Sequence, residues 1–291
     1  LKFCFEKDQK EKTRETSCFS NMICFSTVNL LRLVCTIKED YNFVMKGSID
    51  TTWNVTSSGG KLMCFGVNIM KKKANQNKFS VVFIPLIMAF VFSENMETVI
   101  LVLETLKFNV KNLFGFVLEI RGGLVSDAAG AFIAACKRCF PNSPIGQCFG
   151  HVALKFIDRP GQGGKGRAGY LDICVNRDAL ADPCKMDLIR MHCCKTRSLQ
   201  LLYGSLALQA WRAAGEEKIA KTFQDSYLSK AETICWRANE FDIPGHPPHN
   251  CSQETWHRDI KASTLIVFRC FCDANRIELT HFLLFLCGHH R

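Results

Sequence analysis

The chain has 291 residues, 47% of them apolar and 22% charged, a balance that builds a hydrophobic core and excludes a disordered chain. Lys and Arg outnumber Asp and Glu by 37 to 27, a formal charge of +10, which favours an anionic partner because phosphate neutralisation needs clustered cations. The 17 cysteines are scattered and odd in number, and without a signal peptide they read as cytosolic or nuclear thiols rather than a disulfide framework.

Residues 1–40 combine a charged stretch, Glu6 to Glu15, with Cys- and Phe-containing pieces of no clear period, and they read as a leader. The chain begins at Leu1 rather than Met, so flanking domains are expected beyond it. The first part of a core, 41–158, opens with three β-favouring segments, Phe43 to Ile49, Lys61 to Met70 and Phe79 to Val91. The turn-like Ser57 to Gly60 and the polar Lys71 to Lys78 separate them, which predicts a meander. The longest apolar run, Val81 to Phe92, overlaps the third segment. It falls short of the roughly 20 residues of a membrane helix and contains Pro85, so it reads as a buried strand and no membrane partner is expected.

Ser93 is placed to cap a helix that starts with Glu94 and Glu97 and keeps apolar residues at helical spacing through Leu106. Phe116 to Val125 reads as a strand ending at Ser126-Asp127, Ala128 to Phe140 as a helix stopped by Pro141, and Ile145 to Phe149 as a short strand. Three strands, helix, strand, helix, strand describe an α/β domain with a mixed sheet. The basic, Gly-rich Arg159 to Gly169 lacks the spacing of a phosphate-binding loop and reads as a connection. It opens an insertion, 159–243, that is mainly helical, because Asp187 to Ala238 is rich in Leu, Ala, Lys, Gln and Glu with apolar residues three and four apart. Residues 244–291 close the core and form a tail.

Three segments carry chemistry. Ile49-Asp50-Thr51-Thr52 puts an acid at a strand end, where a carboxylate can project into a cleft. Leu124 to Val152 holds an apolar strand ending in Asp127, an Ala-rich helix, the step Phe140-Pro141, and the C-x2-H pair Cys148 and His151. Asn250 to Lys261 places Asn250 shortly before Glu254, with Trp256, His257 and Lys261 following on the same helix. In these three segments, and in Phe83 to Glu94, the chain resembles the catalytic core of Mutator-like element (MULE) DNA transposases. Its D-x-T matches at Asp50, its strand-to-C-x2-H block matches across Leu124 to Val152, and its late Glu-bearing helix matches around Glu254.

The resemblance implies an RNase H-like fold, a mixed sheet flanked by helices with the helical insertion placed before the last catalytic helix. It also implies an Asp, Asp, Glu site of Asp50, Asp127 and Glu254 holding two Mg2+ or Mn2+ ions. Such ions prefer carboxylate oxygens and, about 3.5–4 Å apart, activate the attacking oxygen and stabilise the leaving one. The expected activity is phosphodiester cleavage and strand transfer at element ends, in the nucleus, on transposon-end and target DNA, with homo-oligomerisation left open. Cys148, His151 and Asn250 are expected to support the site, and His257, Arg258 and Lys261 to contact DNA. Cys136 and Cys139 complete a zinc-like spacing with Cys148 and His151, but they lie in an Ala-rich helix without the turn residues of a zinc knuckle, so zinc is not expected. Cys193, Cys194 and Cys287 read as core or tail thiols. Two competing readings are a degenerate or domesticated descendant that binds DNA or protein without cutting, and a plain nuclease of the same fold.

Overall fold

The structure is a computed structural model that describes residues 2–4, 22–41, 45–52, 60–72, 79–127, 130–157, 175, 177–229, 235–238, 241 and 252–259. It is an α/β protein whose strands form one mixed sheet. In chain order the elements are β1 (Lys2–Cys4), β2 (Ile23–Phe25), α1 (Val28–Tyr41), β3 (Lys46–Thr52), β4 (Lys61–Lys72), β5 (Phe79–Val91), α2 (Met96–Phe114), β6 (Leu124–Ser126), α3 (Gly130–Cys139), β7 (Ile145–Gln147), α4 (Phe149–Ile157), α5 (Arg177–Cys193), α6 (Arg197–Ala213) and α7 (Glu217–Phe223). A π-helical turn, Gln224–Leu228, follows α7, and α8 occupies 252–259. The sheet order is β1-β2-β5-β4-β3-β6-β7. Strands β1, β2, β5 and β4 pair antiparallel, whereas β3, β6 and β7 pair parallel.

By internal contacts the chain divides into two compact units, the first made of Leu1–Phe43, Asp50–Leu118 and Cys251–Arg291, the second of Val44–Ile49 and Glu119–Asn250. In the first unit two of the three strands expected as a meander are present as β4 and β5, paired from Lys61↔Val91 to Lys72↔Phe79. The segment expected as a featureless leader contributes β1, β2 and most of α1, with β2 pairing to β5. Helix α2 is capped by Asn95, whose Oδ1 accepts from the Thr98 N–H at 2.8 Å. The expected cap, Ser93, lies two residues too early. Asn95 has the extended backbone (φ −82, ψ 165) that a cap requires. One core cluster gathers Phe25, Leu62, Cys64, Phe83, Met88 and Phe90, with Trp256 of α8 packed against it.

In the second unit the expected strand from Phe116 shortens to Leu124–Ser126. The chain joins β3 only at Gly122, which donates to the Met45 carbonyl at 2.9 Å, and at Gly123, whose carbonyl accepts from Gly47 at 3.0 Å. Gly123 has φ 92, a bend that L side chains rarely adopt, so regular pairing starts after it. Helices α5, α6 and α7 share a core with α4. Val152 lies among Leu188, Met191, Leu208, Trp211, Phe223 and Trp236. Asp187 of α5 accepts hydrogen bonds from Tyr203 Oη (3.2 Å) and Trp211 Nε1 (3.0 Å) of α6, which ties the two helices together by polar contacts as well as burial.

The β4–β5 pairing is interrupted once, between Phe65 and Gly66, where Phe65 opposes Ile87 but Gly66 opposes Pro85. Leu86 is thus the extra residue of a bulge, and its carbonyl accepts a hydrogen bond from Ser26 Oγ. A Cβ at Gly66 would run into the Ile84 carbonyl oxygen and the Phe83 ring. Backbone cannot swing aside as a side chain can. Gly66→Ala is therefore expected to lower stability by about 2 kcal/mol, within the usual cost of overpacking, read from urea unfolding midpoints. A loss below a few tenths of that figure would show that the strands part without penalty.

Candidate functional site

The second unit aligns three strand ends. Ile49 of β3 registers with Ser126 of β6, and Ser126 registers with Gln147 of β7. Strands running in parallel end on the same edge, and registered residues point to the same face. One residue further along each strand stand Asp50, Asp127 and Cys148. The Cys148 N–H donates to the Ser126 carbonyl at 2.8 Å, carrying the ladder on to that position. The carboxyl edge of parallel strands is where open α/β sheets bind ligands. Asp127 and Cys148 therefore follow neighbouring strands at one edge of the parallel part of the sheet.

Cys148 immediately precedes α4 and its carbonyl accepts from the Val152 N–H at 3.2 Å, so the C-x2-H pair occupies the first turn of that helix. Residues three apart on a helix lie on one side, which sets fully buried Cys148 and half-buried His151 together. Cys136 and Cys139 both face the buried side of α3. Burial, with Cys139 nearby, pushes the Cys136 thiol up to about 12. Cys193, read from sequence as a core thiol, is exposed at the end of α5, because the helix turns its Cys184, Leu188 and Met191 face to the core. Cys287 lies outside the described residues.

In the first unit α8 lies on the sheet by its own anchors. Ser252 Oγ donates to Asn68 Oδ1 at 2.6 Å, Gln253 Nε2 donates to the Cys64 carbonyl at 2.8 Å, and the Trp256 ring meets Phe83 edge-on at 5.5 Å. His257 follows on the same face, its Nδ1 3.7 Å from Asp50 Oδ2. His257 was expected to contact DNA, but its residue exposure of 5% turns it to the carboxylate instead of to a surface phosphate. Arg258 is exposed. Glu254, half-buried, sits one turn before His257 on the helix that approaches Asp50. Asn250 and Lys261 lie outside the described residues.

The field around Asp50 is legible in its neighbours. Burial, with the charge of Asp50 second, raises the Cys64 thiol well above its ordinary value. Lys46, four residues before Asp50 on β3, is 1% exposed. Its ammonium lies 5.5 Å from the centre of the Phe241 ring, and that ring also covers Gly123 and Gly146, where a Cβ would collide with it. Burial lowers Lys46 to about 8, with Cys148 acting in the opposite direction. Sequence reasoning missed Lys46, although its even spacing with Ser48 and Asp50 along a strand was the available signal.

Asp50, Asp127 and Glu254 offer oxygen donors only, the chemistry that fits hard divalent cations. No protein-family model matches the chain, and no curated protein matches it. Among the described residues, no helix is long and apolar enough to cross a membrane.

The sign of the Lys46 effect can be tested. Its folded value, about 8, is below the ordinary 10.5, so the fold favours the neutral amine. The associated stability is complete above 10.5 and is lost as pH falls towards 8. At pH 7 the buried charge costs about 3 kcal/mol. Lys46→Met is therefore expected to raise Tm at pH 7 and to lose most of that advantage by pH 10.5, measured by thermal melts across this range. An advantage independent of pH would exclude charge burial as its cause.

Proposed function

We propose that the chain is the catalytic core of a Mutator-like DNA transposase with an RNase H-like fold, acting in the nucleus on element-end and target DNA. The observation that carries this reading is the parallel register of β3 with β6, Ile49 opposite Ser126, with Asp50 and Asp127 each next in sequence, together with the contact of Asp50 with the helix that bears Glu254. The strand order β5-β4-β3-β6-β7, with β4 and β5 antiparallel and β3, β6 and β7 parallel, supports the fold. The motif matches in Leu124 to Val152 and around Glu254 support the family.

In this reading Asp50, Asp127 and Glu254 hold two Mg2+ or Mn2+ ions, which supply the activation of the attacking oxygen and the stabilisation of the leaving oxygen. Asp50 presents a carboxylate whose Oδ1 accepts from the Thr51 N–H at 2.8 Å, so one of its two oxygens is tied to its own backbone. Cys148 and His151 support the first turn of α4 beside Asp127. Arg258 and Lys261 draw the phosphate backbone towards α8, with the overall charge of +10 adding a sequence-independent attraction.

Chemistry and DNA binding then separate. Asp127→Asn keeps size but removes the charge that holds a hard cation, whereas affinity for DNA rests on Lys and Arg. The expected outcome is loss of Mg2+- or Mn2+-dependent cleavage with unchanged nonspecific binding, measured as paired cleavage and gel-shift assays at one fixed salt concentration. Cleavage by the variant at the wild-type rate would remove Asp127 from the site. Binding without cleavage by either protein would instead identify a domesticated DNA-binding descendant.

A further inference from the structure

We infer that His257 is a positioning residue that sets the orientation of the Asp50 carboxylate and so tunes its hold on a divalent cation. The inference rests on the reading of Asp50 as a metal ligand given above. Asp50 is 7% exposed and its two oxygens face different neighbours. Oδ1 takes the Thr51 N–H at 2.8 Å, while Oδ2 stands 3.7 Å from His257 Nδ1. That separation is longer than a direct hydrogen bond but close enough for the ring to limit rotation of the carboxylate and to act on its charge.

The ring is held in place, because α8 is fastened at three positions just before it. Ser252 holds Asn68, Gln253 holds the Cys64 carbonyl, and Trp256 packs on Phe83. Gln253 and Trp256 stand one and four positions along the helix from Ser252, and His257, five positions along, completes that side of α8 and is directed at Asp50. The Asp50 charge is also felt at buried Cys64, which lies under the same helix. A buried carboxylate with one oxygen tied to its own strand and the other facing a fixed ring has little freedom left. Groups that orient ligands in this way commonly change metal affinity 10–100-fold when removed.

The test uses the full chain and Mn2+ alone, with binding measured by titration calorimetry and the metal-free fold by thermal melting. His257→Phe keeps the ring volume without the nitrogen and is expected to weaken Mn2+ binding about tenfold or more. His257→Gln returns a polar group and is expected to recover most of the loss, which a merely structural role would not predict. Should His257→Phe fail to fold, His257→Ala takes its place beside His257→Gln. Unchanged Mn2+ affinity in the folded variants, with binding abolished by Asp50→Asn, overturns the inference and leaves the proposed function standing. Unchanged affinity in Asp50→Asn itself overturns the assignment of Asp50 as a metal ligand.

Discussion

A strand paired along both edges and buried on both faces has no inexpensive place for charge, yet β3 carries Lys46 and Asp50 on the same face. Lys46, Ser48, Asp50 and Thr52 alternate with the rest of the strand, and all four are buried. Each charge is accommodated separately. The ammonium lies over the Phe241 ring, and the carboxylate is met by its own Thr51 N–H and by His257. Much of the surrounding arrangement follows from that need. At Gly123 and Gly146 a Cβ would collide with that same Phe241 ring, and α8, which carries the ring facing the carboxylate, is fastened at Asn68, Cys64 and Phe83.

The same strand explains what the sequence revealed and what it did not. Long apolar runs identified β4 and β5, since that signal is local, whereas the end of β3 was set at Ile49 and the strand runs on through Asp50 to Thr52. Strand β2 is only Ile23–Phe25 and exists through pairing with β5 more than sixty residues away, so no local period discloses it. The outward or inward choice of His257 depends on anchors at Cys64 and Asn68, up to 189 positions distant. From the helix sequence alone, a His beside an Arg reads equally well as a phosphate contact. Strand β6 was overextended because Val117, Leu118 and Ile120 look β-favouring, whereas the ladder is delayed by the bend at Gly123.

Helix α4 has two obligations within its unit. Its first turn carries His151 directly after the end of β7, while Phe149 and Val152 belong to the core of the helical lobe. Phe149 stacks on His192 with ring centres 3.8 Å apart, and on Trp236 at 5.9 Å. His192 in turn is bonded at Nδ1 to the Trp236 carbonyl, 2.7 Å away, and burial lowers its pKa below the ordinary 6.5. The imidazole that follows the end of β7 is thus carried by the same short helix whose Phe149 and Val152 pack into the core of the lobe.

The bulge at Leu86 has a counting consequence. Met88 and Phe90 share a face with Leu62 and Cys64, as alternation requires, and without an extra residue Phe83 would belong to the opposite face. Because Leu86 is unopposed, odd-numbered Phe83 joins the even-numbered Met88 and Phe90 in one cluster and meets Trp256 there. The seat of α8 therefore depends on parity. Families of such sheets can exchange one apolar side chain for another on β5 with small effect, but losing or gaining a single codon between Phe83 and Met88 would turn the Phe83 half of the strand inside out. That short interval should consequently accept substitutions far more readily than changes of length.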